Sequence, residues 1–279
     1  MPDAASPIRI EREDGVASVV IDHPPLNLLG AELMGALLAT VERLEQDEAS
    51  RVVVLSSADP DFFIAHGDVE TIAQVPTDPS APVETLPFTH QLLERWRKLP
   101  QITLARIEGF ARGGGSEVAL ACDMRFAATG RAVFGQPEVA LGILPGAGGT
   151  ARLTRLVGPA RAAEIILGGD DFSASEAAAY GWINRALPPE ALGPFVDRLA
   201  RRIARFPAHT LRETKRTLQA IADADLERDL LTEQHAFDAL MSDPRSERVP
   251  RMRRFLARGV QTRDGERDLA AACETLGED

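Results

Sequence analysis

Ile102-Thr-Leu-Ala-Arg-Ile107 leads through Gly109-Phe-Ala-Arg-Gly-Gly-Gly-Ser-Glu117 into Val118-Ala-Leu-Ala121. A β-rich run, a glycine-rich turn and a short apolar helix follow one another without a break. The same alternation extends outward in both directions. Upstream, Ile8 to Glu11 and Val16 to Ile21 flank Glu13-Asp14-Gly15 and read as a hairpin. Ala31 to Gln46 carries Leu33, Leu37, Leu38, Val41 and Leu44 at helical spacing. Arg51-Val-Val-Val-Leu-Ser56 has the continuous apolar character of a strand buried on both faces of a parallel sheet. Pro76 to Pro82 reads as a loop, and a helix is expected from about Glu84 to Lys98, stopped by Pro100. Downstream, Met124 to Ala127 and Val133-Phe134 are two further short strands.

From Pro159 onward the pattern is helical throughout. Ser173 and Glu176 form a capping-box pair, and the helix they open ends near Gly181. Further helices are expected over roughly 190–205, 207–221 and 226–241, with a basic last piece from Arg251 to Arg258. Strands alternating with helices, then helices alone, predict an α/β core with a parallel sheet and a C-terminal helical subdomain. There is no internal repeat and no linker that would mark independent domains. The first seven residues and the tail beyond about Gln261 are expected to be mobile.

The composition narrows the function classes. Among 279 residues, 31 are Lys or Arg and 42 are Asp or Glu, for a net charge of −11. An acidic chain without a Lys/Arg-rich run is a poor nucleic-acid or anionic-membrane binder. A polyanionic ligand therefore needs a local patch of backbone N–H groups and Arg residues. Cys122 and Cys273 are too few for a disulfide framework, and the five His residues form no ligand cluster, so no metal site is expected. The N-terminus lacks the apolar core of a signal peptide, and no apolar run reaches the ~18 residues of a membrane span. A cytoplasmic protein in a reducing compartment is expected.

Three segments have the composition of a reaction site. In Gly109–Glu117, glycines at a strand-to-helix turn leave the backbone open to a ligand, and the following helix presents unpaired N–H groups. Such a turn suits a phosphate or an oxyanion that develops during reaction. No Lys-Ser/Thr pair follows, so it is not a Walker loop, and the dinucleotide-binding spacing is absent. Glu117 stands in an otherwise apolar run, where a carboxylate must be solvated, paired or working. The second segment is Phe134-Gly-Gln-Pro-Glu138, followed by Gly142-Ile-Leu-Pro-Gly-Ala-Gly-Gly-Thr150. Glu138 reads equally as a surface carboxylate or as the partner of Glu117 in general acid–base chemistry. The third, Pro60-Asp-Phe-Phe-Ile-Ala-His-Gly-Asp68, follows the Val52–Leu55 strand and reads by itself as a β-to-α turn.

Together the three segments resemble the crotonase superfamily, the enoyl-CoA hydratase/isomerase family, over roughly residues 8 to 245. The resemblance rests on Gly109–Glu117 with Ala121-Cys122-Asp123, on Phe134–Glu138 with Gly142–Thr150, and on Ser173–Gly181 with Asn184. It implies a spiral of ββα units with an α/β core over 1–200 and a helical oligomerisation region over 201–279, assembled as a homotrimer or a pair of trimers. It implies an acyl-CoA substrate, with no cofactor beyond the coenzyme A moiety, as in fatty acid metabolism. By motif position, Gly67 and Gly114 would donate backbone N–H groups to the thioester oxygen, within a substrate loop of Ala65, His66, Gly67 and Asp68. Glu117 and Glu138 match the two glutamates of the hydratases, so the implied reaction is addition of water across the C2–C3 double bond of a 2-enoyl-CoA. Double-bond isomerisation, which needs only one carboxylate, and acyl-CoA binding without turnover are the alternatives.

The chain departs from the family at two places. His66 stands where the loop usually has Gly; its ring either points to solvent, as in a family variant, or lines the site as an extra acid or donor, with backbone strain if that position requires a positive φ. The stretch Asp243 to Leu256 departs from the family's acidic, glycine-containing turn; its basic character either answers the phosphates of coenzyme A or, as expected here, forms a solvated helix face. Leu26, Ile72, Phe88 and Leu141 are candidates for the acyl pocket.

Overall fold

The computed structural model describes residues 6–75, 85–223, 225–243 and 247–276. Two sheets share one core. The larger contains β1 (Ile8–Glu13), β2 (Val16–Ile21), β3 (Val52–Ser57), β5 (Ile102–Ile107), β7 (Met124–Ala128) and β10 (Arg185–Leu187), in the order β1-β2-β3-β5-β7-β10. β1 and β2 form the expected antiparallel hairpin, and all other pairs are parallel. The smaller sheet contains β4 (Phe62–Ile64), β6 (Phe110–Arg112), β8 (Val133–Gly135) and β9 (Phe172–Ser173), in that order. β4, β6 and β8 run parallel, and β9 closes the sheet antiparallel to β8.

Thirteen α-helices and one 3-10 turn (Glu138–Leu141) surround these sheets in the described residues. Through the α/β part they are α1 (Ala31–Glu45), α2 (Val69–Ala73), α3 (Phe88–Arg97), α4 (Gly114–Leu120), α5 (Gly149–Val157), α6 (Pro159–Gly168) and α7 (Ala174–Tyr180). The C-terminal set is α8 (Pro189–Ala204), α9 (Ala208–Ala222), α10 (Leu226–Ser242), α11 (Arg248–Ala257), α12 (Arg263–Arg267) and α13 (Leu269–Glu274).

The run at Val52 to Leu55 shows how a uniformly apolar strand serves two layers. Val52 and Val54 pack with Leu192, Val196 and Ala200 of α8, while Val53 and Leu55 face the main core with Leu33, Leu37 and Val41 of α1. Alternate side chains leave opposite faces of a strand, so burial of every position means a helix on each side. The Ser173–Glu176 capping box is present, with Ser173 Oγ accepting from Glu176 N and the Glu176 carboxylate accepting from Ser173 N.

Several expectations are corrected. The chain beyond Pro159 is not wholly helical, because β9 and β10 each extend a sheet; strands of two or three residues are too short to show a period. β4 and β6 escaped the sequence reading for the same reason. α3 begins at Phe88, directly after Pro87; the Pro76–Pro82 loop and Glu84 lie outside the described residues. The tail beyond Gln261 is ordered into α12 and α13, with Leu269, Cys273 and Leu276 buried beside Leu141 and Ile143. α11 is not simply a solvated basic face. Met252 and Phe255 are buried, and Arg248 donates to the carbonyls of Met241 and Val75.

Candidate active site

The three parallel strands of the small sheet end side by side in the three segments singled out above. β4 runs into Ala65-His66-Gly67-Asp68, β6 into Gly113-Gly114, and β8 into Gln136-Pro137-Glu138. The ladder continues past the strands, since Arg112 N donates to Ala65 O at 3.1 Å and Gly113 N to Gly135 O at 2.9 Å. Segments distant in sequence thus become neighbours at the carboxyl ends of parallel strands, a usual position for a ligand in α/β folds.

They line a cavity of about 280 Å³ that includes His66, Gly67, Asp68, Gly113, Gly114, Glu117 and Glu138. Gly67 and Gly114 supply the amides. Leu29 N donates to His66 O at 2.9 Å, which turns the N–H of the same peptide, that of Gly67, to the opposite side. Gly114 is the first residue of α4, where no intrahelical acceptor exists for its N–H. The two amides are close, because a Cβ added at Gly114 would lie 3.2 Å from the Gly67 nitrogen. Gly113 has a φ of +45°, and a Cβ there would lie 2.7 Å from Glu138 Oε1. The positive φ favours glycine, and a side chain there would also push the Glu138 carboxyl aside.

One turn into α4, Glu117 is buried with its Oε1 accepting from Ala147 N at 2.7 Å and Gly149 N at 2.8 Å. Its Oε2 takes no part in those two bonds. Burial raises the Glu117 carboxyl, and the Glu233 charge adds to it; against the two N–H groups and His90, it stands at about 7. Glu138 is half-buried as part of the cavity wall. Desolvation and the Glu117 charge push its carboxyl well above the usual carboxylate range. The Gln136 amide faces it, 3.2 and 3.1 Å from the two carboxyl oxygens. Such an amide accepts from a protonated carboxyl through its oxygen or, turned over, donates to an ionised one. The site therefore has one carboxyl with fixed N–H partners and one that can hold a proton against an adaptable partner, a pairing suited to acid–base chemistry.

The structure also brings in residues the sequence reading missed. Glu233 of α10 is buried against the start of α5, accepting from Gly148 N at 2.5 Å and Ala151 N at 2.6 Å, and it meets His90 Nε2 at 3.2 Å. His90 lines the cavity beside Glu117. A glutamate on an amphipathic helix gives no sequence signal of such a role.

The remaining expected residues divide. Asp68 lines the cavity and caps α2, its carboxylate held low, against burial, by Thr71 and Gln261. Ala65 lies beneath the loop and outside the lining. Ile72 and Leu141 line the cavity, joined by Met34, Ile143, Leu144, Phe237, Phe255 and Leu269. Leu26 instead packs under the loop with Phe62 and Ala65, and Phe88 is 49% exposed.

His66 is the largest correction. It is 4% exposed rather than solvent-facing, and among the described non-glycine residues only Asp14 and Asn27 have a positive φ, so its backbone is unstrained. Its Nδ1 lies 2.7 Å from Gly67 O and its Nε2 lies 3.0 Å from Glu266 Oε2.

Fold, paired amides and paired carboxyls define a member of the enoyl-CoA hydratase/isomerase family: its family model matches residues 11–259, and the chain belongs to it. Among its relatives, a short-chain-enoyl-CoA hydratase of Clostridium acetobutylicum is 32% identical over 237 residues, 84% of this chain and 88% of that protein. A crotonyl-CoA hydratase of Syntrophomonas wolfei is 33% identical over 232 residues, 82% of this chain and 88% of that protein. A solved Streptomyces avermitilis structure, described as a candidate enoyl-CoA hydratase, superposes with a TM-score of 0.89 at 40% identity. It covers 99% of this chain and 100% of its own.

Proposed function

We propose that this protein hydrates 2-enoyl-CoA thioesters. The observation that carries this reading is the convergence of Glu117 and Glu138 on one cavity with the amides of Gly67 and Gly114. As water adds across the C2–C3 double bond, negative charge gathers on the thioester oxygen. The two amides are fixed before the reaction by the Leu29 bond and the start of α4, so they meet that charge without reorganising. Each such donor is worth roughly 3 kcal/mol in comparable sites. Glu117 takes a proton from the water attacking C3, and Glu138, shifted toward its neutral form, delivers one to C2. Every proton then has a named carrier, and the substrate's coenzyme A moiety is the sole cofactor in this scheme. Two carboxyls at the site favour hydration over isomerisation, which needs one.

The cytoplasm suits such an enzyme, whose two cysteines are buried free thiols, and no helix among the described residues is long and apolar enough to cross a membrane. A homotrimer or a pair of trimers is what the family resemblance implies, and α9, which leaves Leu218 and Ile221 64% and 75% exposed, offers an apolar face to a partner. An apolar face of this kind is normally covered by a partner. Light scattering of the purified protein would read the assembly directly.

Comparison of Glu117→Gln and Glu138→Gln with the parent chain tests the reaction. Each is expected to lower kcat for crotonyl-CoA by ~10²–10⁴-fold while leaving the affinity for a saturated acyl-CoA within about threefold. Retained turnover in both variants would refute the acid–base assignment, and a parent chain that binds the thioester without turnover would mark a binding protein.

A further inference from the structure

The His66 ring sits between two acceptors, a carbonyl at Nδ1 and a carboxylate at Nε2. Only the doubly protonated ring donates to both. The carboxylate comes from the chain's own C-terminal segment. Glu266, on α12, is fully buried and accepts from Arg112 Nη1 at 2.7 Å, and Arg112 in turn makes a two-pronged pair with Asp171 at 2.7 Å on each prong. Two cations and two anions balance in a cluster whose His66, Arg112 and Glu266 are almost fully buried, as buried charge requires. The segment is tied down on both sides of the oxyanion loop. Gln261 accepts from Val69 N and donates to Asp68, while Arg263 binds Asp59, Asp61 and Pro25 O.

We propose that His66 and Glu266 are positioning residues that lock Gly67, so that the C-terminal segment of this chain braces its own oxyanion amide. The inference rests on the reading of the Gly67 N–H as a thioester-oxygen donor. Leu29 holds the peptide before Gly67 through His66 O, and the His66 ring holds the carbonyl after it. Gly67 is thereby fixed on both sides, where a glycine alone would be free to turn. Glu266 keeps the ring charged: burial opposes the imidazolium, the Glu266 carboxylate outweighs it, and the ring titrates above its ordinary value. Loss of the Nδ1 proton would set a nitrogen lone pair against Gly67 O and push the carbonyl away.

The other titratable groups on this side are Arg112 from β6, with Asp171 and Cys273 of α13 near it, and Glu138, which faces the His66 Cβ across Gly113; Asp68 follows on the same loop but is held by Thr71 and Gln261. Phe255 of α11 adds an aromatic edge at 5.9 Å. Glu266 is the one carboxylate in direct contact with the ring among the described residues.

Two measurements test the clamp. In the imidazole nitrogen spectrum of the ¹⁵N-labelled parent protein at pH 7, with His66→Gln to assign the signals, both His66 nitrogens are expected to carry protons. A neutral ring would overturn the proposal whatever the variants do. In the pH profile of crotonyl-CoA turnover, the parent's kcat is expected to fall at high pH as the ring loses its Nδ1 proton, the Nε2 proton being held by Glu266. His66→Ala is expected to lower kcat about tenfold at pH 7, with a smaller change in KM, and to lack that limb, because no ring is left to titrate. A His66→Ala profile superimposable on the parent's would overturn the clamp. A parent that turns over no crotonyl-CoA would instead refute the hydration reading, and the nitrogen spectrum would still decide the state of His66.

Discussion

The two sheets divide the work of the molecule. The larger is built from strands of up to six residues, buried between α8 on one face and α1 on the other, and none of its side chains enters the cavity. The smaller has strands of two or three residues, yet its three parallel members end in the His66–Asp68 loop, the paired glycines and Glu138. One sheet supplies burial and the other supplies position. Substitutions in the two should therefore fail differently, one in stability and the other in turnover.

The largest contrast is expected from Gly113→Ala. A methyl group at a φ of +45°, 2.7 Å from Glu138 Oε1, must displace either the carboxyl or the glycine turn. Misplacement of this size costs about 10²-fold in kcat, and steady-state rates on crotonyl-CoA would read it. In the large sheet, Leu55→Ala empties a fully buried position and should cost about 2–5 kcal/mol in a urea titration. The kcat of its remaining folded protein should be unchanged. A Leu55→Ala enzyme that is stable but slow would break the division.

How much of this was legible in the sequence follows the same line. The runs at Val16–Ile21, Val52–Ser57 and Ile102–Ile107 are long enough for their pattern to announce a strand, and the large sheet was visible in them. Phe62–Ile64 and Phe110–Arg112 are too short for any period, so the small sheet was hidden although its functional ends were not. Glycine clusters and carboxylates in apolar runs pointed to the segments that line the cavity, because both are costly unless used. Glu233, His90 and Glu266 gave no such sign. Their roles come from partners 143 residues away for the Glu233–His90 pair and 200 residues away for the Glu266–His66 pair, and no local pattern encodes that. The order of the tail was legible in principle, because Leu269, Cys273 and Leu276 recur at helical spacing, but three apolar positions at a chain end are too few to outweigh the general mobility of termini.

Stability and chemistry meet at Glu117. Its carboxyl titrates at about 7 in the folded chain against about 4.5 when unfolded. Between those values the folded state holds a proton that the unfolded state has released, so stability falls as pH rises through that window. The loss is on the order of 3 kcal/mol by the neutral side. Glu117→Gln, whose amide oxygen can keep the Ala147 and Gly149 bonds, should flatten that fall and melt higher than the parent at pH 8 but not at pH 4.5. Equal shifts at both values would detach stability from this titration. The smallest effect is expected at the Ser173 cap, far from the reaction: Ser173→Ala should cost about 1 kcal/mol and leave kcat alone.

The most direct test of the account is the reaction itself, followed as the loss of enoyl-thioester absorbance when the purified protein meets crotonyl-CoA. Steady turnover to 3-hydroxybutyryl-CoA, taking the hydroxyl oxygen and one C2 hydrogen from solvent, is the predicted result. Tight binding of the thioester with its absorbance unchanged would contradict the claim that the small sheet assembles a hydratase.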